Sequence, residues 1–113
     1  MPDRVILFVS SSDAAALKRA GSCALAAASM NDRVDVFLFG AAAVAATEAH
    51  GDPDHPAALL QKARSATCRL LGCSAELVEA KVPMTEAEAA LDAVVGWTTV
   101  LEWSRGVADR FFF

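Results

Sequence analysis

Hydrophobic residues in this chain form short continuous runs that are separated by alanine-rich stretches. The run Val5–Val9 has no polar residue, and the run Val34–Phe39 has a single charge, at Asp35. Uninterrupted runs of this kind are typical of strands that are covered on both faces, as in a parallel sheet. Residues 14–30 are rich in alanine, leucine and lysine, which predicts a helix. Gly21 within this helix is expected to permit a close approach to the sheet.

The alternation of strand and helix continues along the rest of the chain. Further strands are predicted at Cys68–Gly72, Ala93–Gly96 and Asp109–Phe113. Further helices are predicted at residues 41–48, 57–65, 74–80, 85–92 and from 98 or 99 to about 105. Thr85 and Glu88 have the Thr-x-x-Glu spacing of a capping box, so Thr85 is expected to cap its helix. The whole pattern predicts an α/β fold with a mainly parallel sheet flanked by helices.

Composition supports a small folded protein. The chain has 113 residues, of which 55% are apolar and 21% charged, so one domain over residues 1–113 with a packed core is expected. The net charge is −4 and no cluster of lysine and arginine is visible in the sequence, so nucleic-acid binding is not expected. Charged residues interrupt the apolar stretches before they reach about 20 residues, so no membrane span is expected.

No signal peptide is readable, because the first residues run directly into the first predicted strand. The three cysteines are an odd number. We therefore expect reduced thiols and a cytoplasmic location.

Cys73 is the candidate catalytic residue. It closes the apolar run that begins at Leu70, and helix-forming residues follow from Ser74. In open parallel sheets, ligands and reacting groups lie where strands end. Backbone N–H groups at the start of a helix also favour a thiolate over a thiol. The alternative is that Cys73 is a small core residue, since free cysteine is commonly buried.

The other two cysteines are expected to be core residues. Cys68 lies on the same predicted strand as Cys73, so the two thiols should be roughly 16 Å apart and on opposite faces of the sheet, beyond the reach of a disulfide. Cys23 lies among alanines in the first predicted helix. Neither spacing matches a zinc motif or a CxxC redox pair.

Three consecutive serines follow the first predicted strand, and they share a sheet edge with Cys73 if the strands are parallel. Their hydroxyls and the start of the next helix can hold an anion, or they can simply cap that helix. Ser10, Ser11, Ser12 and Ser74 are therefore the candidate ligand-binding residues. No glycine-rich dinucleotide or P-loop motif is present in the sequence, so no cofactor is expected.

A loop rich in proline and glycine carries the two histidines. His50 and His55 flank Asp52 and Asp54. Two imidazoles and two carboxylates can in principle hold a metal ion, but their spacing matches no established ligand motif. We expect no metal site and interpret the segment as an exposed loop.

Several segments together resemble the DsrE/DsrF-like family, which includes sulfur-relay proteins. The resemblance is carried by the first strand with its serine loop and by residues 24–30, 32–40, 70–75, 95–100 and 108–111. It implies a five-stranded, Rossmann-like single domain that assembles as a homo-oligomer, a trimer or a hexamer. It also implies that Cys73 carries sulfur as a persulfide, with other proteins as donor and acceptor.

Aromatic residues are concentrated late in the chain, at Trp97, Trp103 and Phe111–Phe113. Side chains on a strand alternate between its faces, so three consecutive phenylalanines cannot all enter one core. Because exposed aromatic surface commonly marks an interface, we expect this segment to contribute to oligomer contacts. The alternative is a strand that is buried on both sides within one subunit.

The leading functional interpretation is sulfur handling or transfer through Cys73. One alternative is a non-catalytic module that holds a small ligand between Ser10 and Cys73. Another is a structural subunit of an oligomeric assembly.

Overall fold

The computed structural model describes residues 3–30, 32–65 and 67–113. The fold is α/β, with five parallel strands in one sheet that is flanked by helices, as predicted. The strands are β1 (Arg4–Val9), β2 (Arg33–Leu38), β3 (Cys68–Cys73), β4 (Ala93–Val95) and β5 (Asp109–Phe112). The helices are α1 (Ala14–Ser29), α2 (Ala41–Glu48), α3 (Ala58–Ala63), α4 (Ser74–Glu79), α5 (Met84–Ala90) and α6 (Trp97–Trp103). The strand order across the sheet is β4-β3-β2-β1-β5.

The predicted cap of the fifth helix is wrong. Helix α5 begins at Met84, so Thr85 lies inside its first turn and not before it. The N-cap residue is Pro83, with φ −59° and ψ 138°, and no side chain caps this helix. The Pro83 carbonyl accepts the first helical hydrogen bonds, from the N–H groups of Glu86 (3.0 Å) and Ala87 (3.1 Å), so the helix starts directly after Pro83.

The strand order distributes the helices unequally between the two faces of the sheet. From β1 to β4 the chain moves one strand at a time in the same direction, so helices α1–α5 all pack on one face, as right-handed crossovers require. From β4 the chain returns across the sheet to β5 at the opposite edge, and α6 lies on the other face. We call these surfaces the five-helix face and the α6 face.

Alternate residues of each strand belong to different faces. Val5 and Val34 point to the five-helix face, where they join the larger core with the alanines of α1 and α2. Phe37 and Leu71 point to the α6 face. Helix α6 has only 7 residues, and Val100 is its only buried one. The α6 face is therefore much less completely covered than the five-helix face.

No helix in residues 3–30, 32–65 and 67–113 combines the length and the apolar character needed to cross a bilayer.

Gly21 sets the separation of two helices on the five-helix face. A Cβ atom on this residue would collide with the Cβ of Leu59 and lie 3.0 Å from the backbone nitrogen of Leu60. The close approach at Gly21 is therefore to α3, and the expected approach to the sheet is wrong. Since a backbone atom is involved, the collision can relax only if α1 and α3 move apart.

Replacement of Gly21 tests this contact. Helix propensity alone would make Gly21→Ala stabilising by about 1 kcal/mol. Because overpacking costs about 1–3 kcal/mol and the Gly21 collision involves a backbone atom, we expect the free energy of unfolding to fall instead, by up to about 2 kcal/mol. Urea unfolding followed by circular dichroism measures the change. Ser22→Ala, at the exposed neighbouring position of α1, is the control and should be neutral or slightly stabilising. An equal or higher stability of Gly21→Ala would contradict the interpretation.

Candidate functional site

The parallel strands bring the predicted site residues to one edge of the sheet, where all five strands end. Ser10 follows β1, Cys73 is the last residue of β3, and Ser74 is the first residue of α4. Strand β2 lies between β1 and β3. Since neighbouring strands are about 4.8 Å apart, the serine loop and Cys73 are separated by roughly 10 Å along this carboxyl edge.

The Cys73 side chain lies on the α6 face in an apolar environment. It belongs to the buried cluster that contains Phe37, Leu71 and Val100, and the residue is only 2% exposed. Its register partner on β4 is Val95. Cys73 is also the N-cap residue of α4, but its side chain makes no capping hydrogen bond. Cys73 therefore lies at the end of a strand, as the sequence predicts, but its side chain is as buried as that of a core residue.

Ser74 lies beside the start of α6. Its Oγ is 3.9 Å from the position that a Cβ atom on Gly96 would occupy. Gly96 is the N-cap residue of α6, and Trp97 is the first residue of this helix. The half-buried Ser74 therefore adjoins the start of α6, and Cys73 shares a buried cluster with Val100 of the same helix.

Ser10 and Ser11 of the serine loop already take part in structural hydrogen bonds. The Ser10 N–H donates to the Phe113 carbonyl (3.0 Å), and the Ser10 carbonyl accepts from the Ala42 N–H (3.3 Å). The Ser11 hydroxyl accepts from the Asp13 N–H (3.0 Å). Asp13 is the N-cap of α1, so the capping role considered for the serines belongs to this carboxylate. Ser12 is exposed and has no hydrogen bond among the described residues that would fix its hydroxyl.

Five aromatic side chains form one cluster at the carboxyl end of the α6 face. Phe8 stacks on Phe112 with a centroid distance of 5.1 Å, and Trp97 meets Phe37 and Phe39 edge-on at 4.9 and 5.0 Å. Trp97 is 44% exposed and Phe112 is 73% exposed. The aromatic cluster adjoins the surroundings of Cys73, because Phe8 and Phe37 belong to the same buried cluster as Cys73.

The alternation predicted for the last strand is confirmed. Phe112 points to the α6 face, where it stacks on Phe8, whereas Phe113 packs against the larger core on the five-helix face. Phe111 lines a cleft beside α1. The segment thus exposes aromatic surface on both sides of β5 at the edge of the sheet.

The core role predicted for Cys68 is confirmed, whereas Cys23 is only partly buried. Cys68 is fully buried under the five-helix face, opposite to Cys73, so the two cannot form a disulfide. Burial raises the pKa of Cys68 to about 11, and the carboxylates of Asp92 and Asp35 add to this increase. Cys23 is partly buried against the same core, and burial raises its pKa.

The two histidines lie in different clefts. His50 lines a cleft between α2 and α5, whereas His55 lines one between the loop and α1. The His55 Nδ1 accepts from the Ala57 N–H (3.1 Å), and its Nε2 lies 3.9 Å from Glu48. Within residues 3–30, 32–65 and 67–113 no three potential ligands come together in a metal-binding group.

A charged cluster on the α6 face is not visible in the sequence. Arg69 donates from Nε to Asp35 (2.9 Å) and lies 4.9 Å above the ring of Trp103. Arg4 and Arg33 are register partners on β1 and β2 beside them. The available signal was that Asp35 and Arg69 are charges within apolar strand runs. Their pairing could be inferred only once β2 and β3 were known to be neighbours.

Comparisons with known proteins add no family: no protein-family model matches the chain, and no curated protein matches it significantly.

The buried Cys68 thiol makes stability depend on alkaline pH. An unfolded thiol ionises near its ordinary pKa of 9.0, whereas the folded protein retains the Cys68 proton up to a pKa of about 11. Between these values the unfolded state binds fewer protons, so the free energy of unfolding falls as pH rises. The stabilisation is fully present below about pH 9 and is lost by about pH 11, a total of about 2–3 kcal/mol.

Comparison with Cys68→Ala isolates this effect. The variant loses packing energy at every pH, but it lacks the thiol titration. We therefore expect the stability difference between the two proteins to shrink by about 2 kcal/mol between pH 8.5 and 10.5 in urea unfolding. Other alkaline titrations are common to both proteins and cancel. If the stability difference between wild type and Cys68→Ala stays constant from about pH 8.5 to 10.5, the Cys68 thiol has the same pKa in the folded and unfolded states.

Proposed function

We propose that the chain carries sulfane sulfur as a persulfide on Cys73 and passes it to an acceptor thiol. The observation that carries the proposal is the position of Cys73 as the final residue of β3, at the carboxyl edge of an all-parallel sheet and directly before α4. This is the edge at which open α/β sheets place their chemistry. Cys68 is at the opposite end of β3, and Cys23 is within α1. The sequence resemblance to DsrE/DsrF-like proteins supports the same residue.

The reaction needs no external oxidant or reductant. The Cys73 thiolate attacks the terminal sulfur of a donor persulfide, R–S–SH. A new S–S bond forms on Cys73, the donor S–S bond breaks, and the donor leaves as R–S⁻. In the second step an acceptor thiolate attacks the terminal sulfur on Cys73, which returns Cys73 to its thiolate form.

Access to the thiol requires a local opening, because Cys73 is 2% exposed in the closed chain. The cover on this face is α6, whose first residue Trp97 follows shortly after Val95, the register partner of Cys73. Trp97 is held by its ring contacts with Phe37 and Phe39 and is itself 44% exposed. We therefore include displacement of the first turn of α6 in the proposed function.

A second candidate function follows from the burial of Cys73. In a non-catalytic subunit, the thiol would be a packing group next to Val100 and Phe37 and would never react. Small-ligand binding would then rest on Ser10, Ser12 or Ser74, and structural contacts would rest on the aromatic cluster. The two candidates differ in whether sulfur ever reaches Cys73.

Incubation with inorganic polysulfide, followed by intact-mass and peptide mass spectrometry, tests the first candidate. We expect one added sulfur on Cys73, which is lost in Cys73→Ser and retained in the control variant Cys23→Ser. Sulfur found only on Cys23, which is nearer the surface, would favour the non-catalytic subunit.

Replacement of Trp97 tests the opening. Each aromatic edge contact contributes about 0.5–1.5 kcal/mol, so Trp97→Ala should lower the free energy of opening by about 1–3 kcal/mol. Alkylation of Cys73 in a Cys23→Ser background should then accelerate by about fivefold to 150-fold. Leu101→Ala, at an exposed position of the same helix, is the matched control and should leave the rate unchanged. Equal rates for the two variants would exclude α6 as the cover.

We also propose that the protein is a homo-oligomer that buries the aromatic cluster. Phe112 is 73% exposed and stacks on Phe8. Aromatic residues of this kind are the usual anchors of protein interfaces.

Sedimentation of wild type and Phe112→Ser tests the interface. Wild type should sediment above the 11.8 kDa of one chain, and Phe112→Ser should weaken assembly at least about fivefold, equivalent to about 1 kcal/mol or more. Met84→Ser, an exposed position on α5 across the sheet, is the control. A monomeric wild type, or an unaltered Phe112→Ser assembly, would contradict the proposed interface.

A further inference from the structure

A cleft lies on the α6 face near the amino ends of the strands, away from Cys73. It encloses about 360 Å³ and is lined by Arg4, Arg33, Asp35, Arg69 and Trp103. Arg69 is four residues before Cys73 on β3, which places the two roughly 13 Å apart along the strand. The cleft is therefore separate from the proposed sulfur site. Its volume is within the range of about 300–1,000 Å³ that is usual for small-molecule sites.

Positive charge is concentrated in this cleft at an energetic cost. Three arginines and one carboxylate line it, although the whole chain has a net charge of −4. Arg4 and Arg33 are direct register partners on neighbouring strands. Like charges on neighbouring strands repel each other. A bound anion would remove this repulsion.

Some of the arginines on this face serve the fold. Arg4 donates to the backbone carbonyl of Trp103 (2.6 Å), and Arg110 donates to that of Ser104 (2.9 Å). These bonds satisfy carbonyls at the end of α6, where positive charge is favourable. These bonds account for Arg4 and Arg110, whereas Arg33 and Arg69 donate to no α6 carbonyl among the described residues.

Arg69 is oriented for binding by its neighbours. Its Nε donates to Asp35, and its guanidinium lies above the Trp103 ring. The hydrogen bonds among the described residues leave both terminal nitrogens of Arg69 without a protein acceptor. A guanidinium held in this way offers two parallel N–H groups to an oxyanion, which is the geometry that phosphate and carboxylate groups accept. Arg33 is exposed at the rim of the same cleft.

We propose that this cleft binds a small molecule that carries a phosphate-class oxyanion. Arg33 and the terminal nitrogens of Arg69 bind the oxyanion, and Arg4 adds charge without giving up its bonds to α6. The Trp103 ring forms the apolar wall of the cleft. Asp35 orients Arg69. Its carboxylate also reduces the net positive charge of the cleft, which favours a compact anion over a long polyanion.

Titration with pyrophosphate at low ionic strength tests this site. The Trp97→Phe variant leaves Trp103 as the single tryptophan, and its fluorescence should change in a saturable way, with matching heats in isothermal titration calorimetry. Arg33→Gln should weaken binding about tenfold, the usual effect of one lost charge-assisted hydrogen bond. Arg69→Lys keeps the charge but loses the two-pronged geometry, so it should also weaken binding. Arg19→Gln, an exposed arginine of α1 on the other face, should bind as wild type does.

Three results would overturn the proposal. The first is the absence of saturable heat with pyrophosphate in wild type. The second is an equal loss for Arg33→Gln and Arg19→Gln, which would mean general charge attraction. The third is self-association that Arg33→Gln abolishes while pyrophosphate has no effect, which would assign the arginines to a contact between copies of the chain. Circular dichroism of each variant ensures that a lost signal comes from a folded protein.

Discussion

The return of the chain from β4 to β5 is the constraint on which the rest of the structure depends. Three successive crossovers place α1–α5 on one face, so the single connection that runs back across the sheet must cover the other face alone. It does so with a helix of 7 residues, anchored by the buried Val100. A short helix cannot cover the inward-facing residues of five strands. The incompletely covered face that results contains both proposed sites.

Register divides this face into two chemically different halves. Toward the carboxyl ends, Phe8, Phe37 and Leu71 lie side by side on β1, β2 and β3 and continue into the aromatic cluster. Toward the amino ends, the same alternation places Asp35 next to Arg69. Helix α6 connects the halves, since its first residue enters the aromatic cluster and its last residue carries the ring below Arg69. A displacement of α6 would therefore affect both sites.

The strands and most helices could be predicted from the sequence because a parallel strand buried on both faces leaves an uninterrupted apolar run. The residues that face each other on neighbouring strands could not be predicted, because strand pairing depends on the order of the strands in the sheet. The pair of Asp35 and Arg69 is invisible until β2 and β3 are neighbours. The cap at Thr85 was mispredicted because Pro83 starts the helix without a hydroxyl. The site at Cys73 was placed correctly along the chain, but its burial depends on where α6 returns across the sheet.

Cys68 and Cys73 differ in what covers them, and this difference underlies the choice of Cys73 in the proposed sulfur transfer. Both residues belong to β3 and both are almost completely inaccessible. Cys68 lies under the five-helix face, in the larger core, and its exposure would require that core to open. Cys73 lies under one short helix whose first residue, Trp97, is already 44% exposed. Local opening costs least where few buried contacts are lost, so the proposed opening at Cys73 requires the displacement of one helical turn, whereas Cys68 would stay protected.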